Sequence, residues 1–490
     1  MKHVKQLLSA LLVLAVVLSL LPAGVLKASA AEAPAALDIG YPTFKNTELL
    51  DEVYDLSKLG VSYSEKDIMM AIYKQDLANG GDSFYMDRIL AREGVCNGNA
   101  GSNGNADGNT FLTRGRALYM YTSSPSVIGF GGNTAYHQPL GRGDLVRVLF
   151  SNADGSLTTK EDTSKRVNAP SNWSSTYSVG SNLTLDVVKF IHQENVAVTT
   201  MTLTNKSAED QAITVAADST FATEPGKVTV NGAEQTELTG TCASPAGLTT
   251  IYARMTGDGF EAASSDDYCW LSRDVTVPAG GSVELKVVIA FTTEEIPEST
   301  AQYLRFAGLG NLEAVRAQKA EYNLYWAENL PYIDVPKKAV QKAIDYRWWL
   351  ERFNSLDANI PGYDYQYPVT IEGVLGYNNA IILTQPMHLQ DTKWLRSPYL
   401  AYGQLLSAGN SSQSSAFLDN PGNRNNWNNH YGQYLAEAGY EAFNVIGGGA
   451  EVAENFAYYF GHDATGMRNT GKIGHRKSFP IYFPLPKVLS

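Results

Sequence analysis

Apolar side chains recur at alternate positions along the chain from about Asp38 to Thr293. Val283, Leu285, Val287, Ile289 and Phe291 alternate with Glu284, Lys286, Val288 and Ala290, the period of a strand with one buried face. Leu185 to Ile191, Val196 to Leu203, Ile213 to Ala216, Val228 to Val230 and Ile251 to Met255 read the same way. Turn signals stand between them: Asp154-Gly155, Asn231-Gly232 and Pro278-Ala279-Gly280-Gly281. Many short strands at this spacing predict a β-sandwich over residues 38–297, with one early helix at Tyr63 to Ala78.

The period changes near Glu298. Leu312 to Leu330 and Pro336 to Phe353 lose the alternation, and Val340, Ile344 and Trp348 recur four apart behind the start signal Asp334 to Pro336. Residues 298–335 read as a helical linker and 336–466 as a helical domain, with further helices at Lys393 to Leu406, His430 to Val445 and Ala450 to Phe460. No solenoid-length repeat occurs. Residues 467–490 form an irregular basic tail: Arg468, Lys472, Arg476, Lys477 and Lys487 occur without an acidic residue, and Pro480, Pro484 and Pro486 exclude a helix. In an otherwise acidic chain this is either a flexible tail or an end where the reading frame has shifted. The second is expected, because so few helices leave apolar faces uncovered.

The N-terminus adds a compartment. Lys2 and Lys5, the apolar run Leu7 to Leu21 broken only by Ser9 and Ser19, the breakers Pro22 and Gly24, and then Ala28-Ser29-Ala30 have the layout of a signal peptide over residues 1–30, cleaved after Ala30 or Ala31. A membrane anchor fits less well, since no stop-transfer charges follow, and no other segment reaches the ~18 apolar residues of a membrane helix. A secreted or wall-associated bacterial protein is expected. The net charge of −12 over 490 residues argues against nucleic acid or anionic membrane as the main partner. Cys96, Cys242 and Cys269 are too few and scattered for a disulfide framework or zinc site, leaving room for one bridge, Cys242 to Cys269. No metal or other cofactor is expected. Asn103, Asn105, Asp107 and Gly108 start like a calcium loop, but Arg114 stands where its last acid belongs. Ile473 likewise spoils the phosphate-loop spacing of Gly466 to Lys472.

Candidate chemistry concentrates between Tyr363 and Tyr431, where Tyr377, Asn378, His388, Gln390, Trp394, Trp427, Asn429 and His430 interleave rings with amides and imidazoles. A sugar presents apolar C–H faces edged by hydroxyls, so its site needs flat rings beside polar partners. The plainer alternative makes Trp394 and Trp427 core residues and the asparagine run a turn; the repeated juxtaposition favours the sugar site. Glycoside hydrolysis usually needs two carboxyl groups, and Glu372 and Asp391 are the best-placed acids. For either one alone, a substrate hydrogen bond or a helix cap is the simpler role.

Four segments together carry a resemblance: Tyr346-Arg347-Trp348-Trp349, Tyr367 to Val374, His388 to Trp394, and Asn426-Trp427-Asn428-Asn429-His430-Tyr431. They resemble the opening part of a six-hairpin (α/α)6 glycosidase, similar to the glucosidase and mannosylglycerate-hydrolase-like group around glycoside hydrolase family 63. The resemblance implies a β-sandwich, a helical linker and a helical toroid, here incomplete, with inverting hydrolysis of an oligo- or polysaccharide in a pocket at the toroid mouth. It also puts the catalytic acid and base in the middle and late toroid, so that Asp391 would line the pocket and this product could lack the catalytic pair. The contrasting expectation is a non-catalytic carbohydrate-binding or cell-surface protein.

Overall fold

The computed structural model describes residues 109–447 and 453, apart from 111–112, 123–125, 137, 141–142, 169–170, 244–248, 266–267, 330–335, 360–366, 372–383, 412–416, 419–427 and 430–434. The leader, the early helix, the tail and nearly all of the predicted helix Ala450 to Phe460 lie outside the described residues.

Among the described residues two large antiparallel sheets make most of the β-rich part, beside a four-stranded one in the order Asn109–Thr110, Leu118–Thr122, Asn133–Tyr136, Gln138–Pro139. The larger runs in the order Glu224–Val230, Ala233–Ala243, Thr250–Gly257, Ser282–Thr292, Val196–Asn205, Leu183–His192, Trp173–Val179, Thr159–Glu161, with Val167–Asn168 also pairing on Trp173–Val179. The smaller runs Glu261–Ser265, Tyr268–Val277, Gln211–Asp218, Val146–Asn152, Gly129–Phe130. The hairpin at Asn231-Gly232 has φ of 52° and 80°, the two positive values that a tight turn of this twist demands. Asn and Gly tolerate them, so Val230 pairs with Ala233 directly.

The strand Ser282–Thr292 departs from the expected single buried face. Leu285, Val287, Ile289 and Phe291 do enter the core between the sheets. Val288 and Ala290, on the opposite face, are also buried, against Tyr303, Phe306 and Ala307 of helix α1, Pro297–Gly308, and Ala314 of α2, Asn311–Asn329. The linker helices thus roof the outer face of the larger sheet. Burial of a ring such as Phe306 contributes about 2–3 kcal/mol. Asn311 fixes the start of α2 by donating to the carbonyls of Met201, 3.1 Å, and Leu285, 3.2 Å. Lys286, itself buried, donates to the Leu309 carbonyl at the end of α1.

Helix α3, Lys338–Asn354, is followed by α4, Gln385–Thr392, α5, Tyr399–Ser411, and α6, Leu435–Ile446. The last three share a core of Leu389, Ala401, Leu405, Leu435, Ala438 and Ala442. The single helix predicted at Lys393 to Leu406 instead begins in the turn after α4 and becomes helical only at Tyr399, in α5. Pro386 starts α4 early, and Pro398 disfavours helical backbone at Ser397. Ser397 Oγ then accepts from Tyr399 N at 3.2 Å, capping α5. No described helix is long and apolar enough to cross a membrane. Cys242 and Cys269 are not joined; they sit on strands of different sheets.

One turn ties these parts together. Asn195, in left-handed backbone at φ 60°, closes the hairpin after His192, and its Oδ1 accepts from Ala117 N at 2.8 Å and Leu118 N at 2.9 Å. Asn195→Ala removes a buried acceptor from two amides and forces alanine into left-handed backbone. The expected cost is about 2–4 kcal/mol, read as a lower urea midpoint with unchanged slope.

Candidate functional site

Helix α4 gathers part of the predicted cluster. His388 Nδ1 lies 2.9 Å from Glu351 Oε1, whose other oxygen accepts from Thr370 Oγ1 at 2.8 Å. Asp391 accepts two hydrogen bonds from Arg347, and its backbone carbonyl accepts from the Trp348 indole at 3.2 Å. Gln390 and Lys393 both donate to Glu441 Oε2 at 2.7 Å, which holds that carboxyl below its ordinary range. Trp394, in the turn after α4, is 53% exposed, with the Lys393 ammonium 5.4 Å from its ring centroid. Trp394 is thus a ring open to solvent, while His388, Gln390 and Asp391 of the preceding helix hold partners on α3 and α6.

Glu372, Tyr377, Asn378, Trp427 and His430 lie outside the described residues. The backbone of Asn429 pairs with Phe417 in a two-stranded ladder.

A second polar assembly lines a cavity of about 370 Å³ between the sandwich and helices α1 to α3 and α5. Arg116 crosses from the sandwich side: its guanidinium donates to the Asp357 carboxylate and, at 3.4 Å, to Glu194 Oε2. The Asp357 backbone is bound as well, with Asp357 N donating to the Arg116 carbonyl at 2.6 Å and the Arg116 side-chain Nε donating to the Asp357 carbonyl at 3.1 Å. Tyr399 donates its hydroxyl to Asp357 Oδ2 at 2.5 Å. Burial, and then the Asp357 charge, push that phenol far above its ordinary range.

His192 lines the same cavity, on the hairpin that carries Glu194. Glu194 N donates to Nδ1 at 3.2 Å, which leaves the proton on Nε2, 2.7 Å from Glu321 Oε2. Burial pushes the Glu321 carboxyl up. The hydrogen bond from His192, with the Arg305 guanidinium, outweighs it and holds the group at about 2.

No known family profile matches the chain. Among solved structures it is similar to a protein assigned as a kojibiose phosphorylase from the human microbiome, with a TM-score of 0.44 and 9% identity over 61% of this chain and 46% of that one. It is also similar to a family GH92 inverting mannosidase from Bacteroides thetaiotaomicron, with a TM-score of 0.39 and 13% identity over 69% of this chain and 50% of the other. A family GH92 alpha-mannosidase of the same organism gives 0.31 and 10% over 72% and 55%. The chain therefore spans about half the length of these structures. They belong to families other than the one that the sequence resembles, and at such scores no residue role is carried across.

Arg116, Glu194, Asp357, His192 and Glu321 were not singled out from sequence. The one local signal is Arg114-Gly115-Arg116 ahead of the apolar Ala117-Leu118, two charges where a strand is about to enter a core. Glu351, the partner of His388, was equally unmarked on the face of a helix.

The depressed Glu321 carboxyl gives a pH signature. Its contribution is present above the ordinary carboxyl range near 4.5 and is lost as pH falls toward about 2. Glu321→Gln should therefore flatten the acid limb of stability against pH between those values, by about 1–2 kcal/mol given its partial exposure, while the slope above pH 5 stays as it was. Chemical denaturation across that range measures it.

Proposed function

We propose that this chain is a secreted glycoside hydrolase-like protein that acts on oligo- or polysaccharide by inverting hydrolysis, with α3 to α6 as the opening helices of a toroid. The observation that carries the reading is Trp394: a large ring left half in solvent, three residues along the chain from Asp391, which pairs with Arg347, and next to Lys393, which bonds Gln390. A pyranose can stack its C–H face on that indole while its hydroxyls meet the carboxylate, guanidinium and amide. In this reading Asp391, tied to a guanidinium, suits the ionised partner that activates water, and Glu372 is the candidate for the protonated one. His388, Tyr377, Asn378, Trp427, Asn429 and His430 complete the substrate contacts.

One observation favours a non-catalytic sugar-binding protein instead. The carboxylates around α4 each have a cationic or imidazole partner: Asp391 has Arg347, Glu441 has Lys393 and Glu351 has His388. A general acid must keep its proton, and a cation beside it works against that.

Turnover of a panel of aryl glycosides and oligosaccharides by the secreted chain, with binding followed by calorimetry, separates the two. Hydrolysis lost by a factor of about 10³ or more in Glu372→Gln or Asp391→Asn, with the fold intact, supports the enzyme. Binding that Trp394→Ala weakens about tenfold or more, without turnover in the parent, supports the binding protein. N-terminal sequencing of the exported protein tests cleavage after Ala30 or Ala31.

A further inference from the structure

The outer face of the smaller of the two large sheets carries aromatic rings at positions where a sandwich ordinarily turns polar side chains to water. Leu271, Val275 and Val277 of the strand Tyr268–Val277 enter the core between the sheets, so Tyr268 and Trp270 take the opposite side by the alternation of a strand. Both residues are half-buried rather than enclosed. Their rings stack, with centroids 5.6 Å apart and planes 25° from parallel. Helices α1 and α2 roof the outer face of the larger sheet, and no described helix packs in that way on this one.

An ion pair continues the row. Arg147, on the strand Val146–Asn152, donates from Nε to Asp218 Oδ1 at 3.1 Å and from Nη2 to Asp218 Oδ2 at 2.6 Å, and the two residues are register partners across their strands. Burial, and then a hydrogen bond to Asp218, push the Tyr268 phenol far above its ordinary range, so its hydroxyl meets the same carboxylate. Rings, carboxylate and guanidinium thus come from three neighbouring strands. The Arg147 side chain is 50% exposed and Leu149, two residues on, is 54% exposed, which leaves the row open to a ligand.

That mixture narrows the occupant. Apolar side chains grouped on an exposed face mark a contact surface. A protein partner suits it less, because the centre of a protein interface is depleted in charge, whereas an Arg147 and Asp218 pair borders these rings. A sugar chain uses both kinds of group: its C–H faces lie on a ring and its hydroxyls bond a carboxylate and a guanidinium. Four strands about 4.8 Å apart make the row about 14 Å wide, an open surface that takes linked units rather than one end held in a pocket.

We propose that this face is a glycan-binding surface, on a different part of the fold from Trp394, where internal units of a polysaccharide lie against Trp270 and Tyr268 with hydroxyls bonded to Arg147 and Asp218. The choice of a glycan rests on the carbohydrate reading above; the place rests on the stacked rings and the ion pair. It gives the sandwich the task of holding the polymer.

The test is affinity electrophoresis of the full secreted chain through gels containing mannan, soluble starch, xylan or no polysaccharide, for the parent, Trp270→Ala, Ala263→Arg and Trp394→Ala. Ala263 is the register partner of Trp270 on the edge strand Glu261–Ser265, so arginine there fills the row without deleting a contact and decides the matter should Trp270→Ala fail to fold. The expected result is retardation of the parent by at least one polysaccharide, weakened about tenfold or more in Trp270→Ala and Ala263→Arg and retained in Trp394→Ala. Retardation that both sandwich variants leave unchanged overturns this surface, and its loss in Trp394→Ala would leave the carbohydrate reading standing. Self-association that depends on Trp270, seen by sedimentation without retardation in any gel, overturns the ligand class in favour of a second copy of the chain. No retardation of the parent overturns the proposal, while aryl glycoside turnover by the same sample would still support the enzyme.

Discussion

The buried bridge between Arg116 and Asp357 holds the two halves of the molecule in register. It is more than one ion pair: Asp357 N donates to the Arg116 carbonyl and Arg116 Nε to the Asp357 carbonyl, the guanidinium also reaches Glu194 at the hairpin turn, and Tyr399 at the start of α5 is a second donor to the carboxylate. Both side chains are 7% exposed or less, so deleting either would strand a charge away from water at a cost of about 3–5 kcal/mol. Attraction alone does not justify burying such a pair, because desolvation offsets most of it. What it contributes is position: Arg116 lies 241 residues from Asp357, and their contact sets where the helical part begins relative to the sandwich.

The larger sheet supplies the complementary constraint. Its central strand Ser282–Thr292 is packed on one face by the smaller sheet and on the other by α1 and α2, so the linker helices belong to the β core as much as to the helices that follow. Lys286 meets the Leu309 carbonyl that the end of α1 would otherwise leave unsatisfied, and Asn311 ties the start of α2 to the Met201 and Leu285 carbonyls. A cavity can persist at this junction because both of its walls are fixed independently, one by sheet pairing and one by the helical roof.

Sequence periodicity reached the strands well, because a period of two and an Asn231-Gly232 turn are local properties. Residues Leu183–His192 and Val196–Asn205 were legible for that reason. It reached less far where the second face of Ser282–Thr292 is buried, although Val288 and Ala290 at its outward positions carry no charge and were the clue. The joined helix at Lys393 to Leu406 overlooked Pro398, a backbone signal stronger than the apolar spacing around it. His388, Gln390, Asp391 and Trp394 could be grouped from sequence because one helix and its closing turn carry them all. Arg114, Arg116, Glu194 and Asp357 could not, since only the folded chain brings them to one cavity.

The two polar assemblies differ in what their charges can do. Arg347 is 60% exposed on its side chain, so its pair with Asp391 contributes only about 0–1 kcal/mol, and a ligand hydroxyl can replace one of its hydrogen bonds at little cost. The Arg116 and Asp357 pair has no such freedom, because opening it would unseat α5 through Tyr399 and the hairpin through Glu194. Under the proposed reading, a carboxylate that must change partners is therefore easier to supply from α4 than from the junction, where Tyr399 and Glu194 hold the ion pair in place.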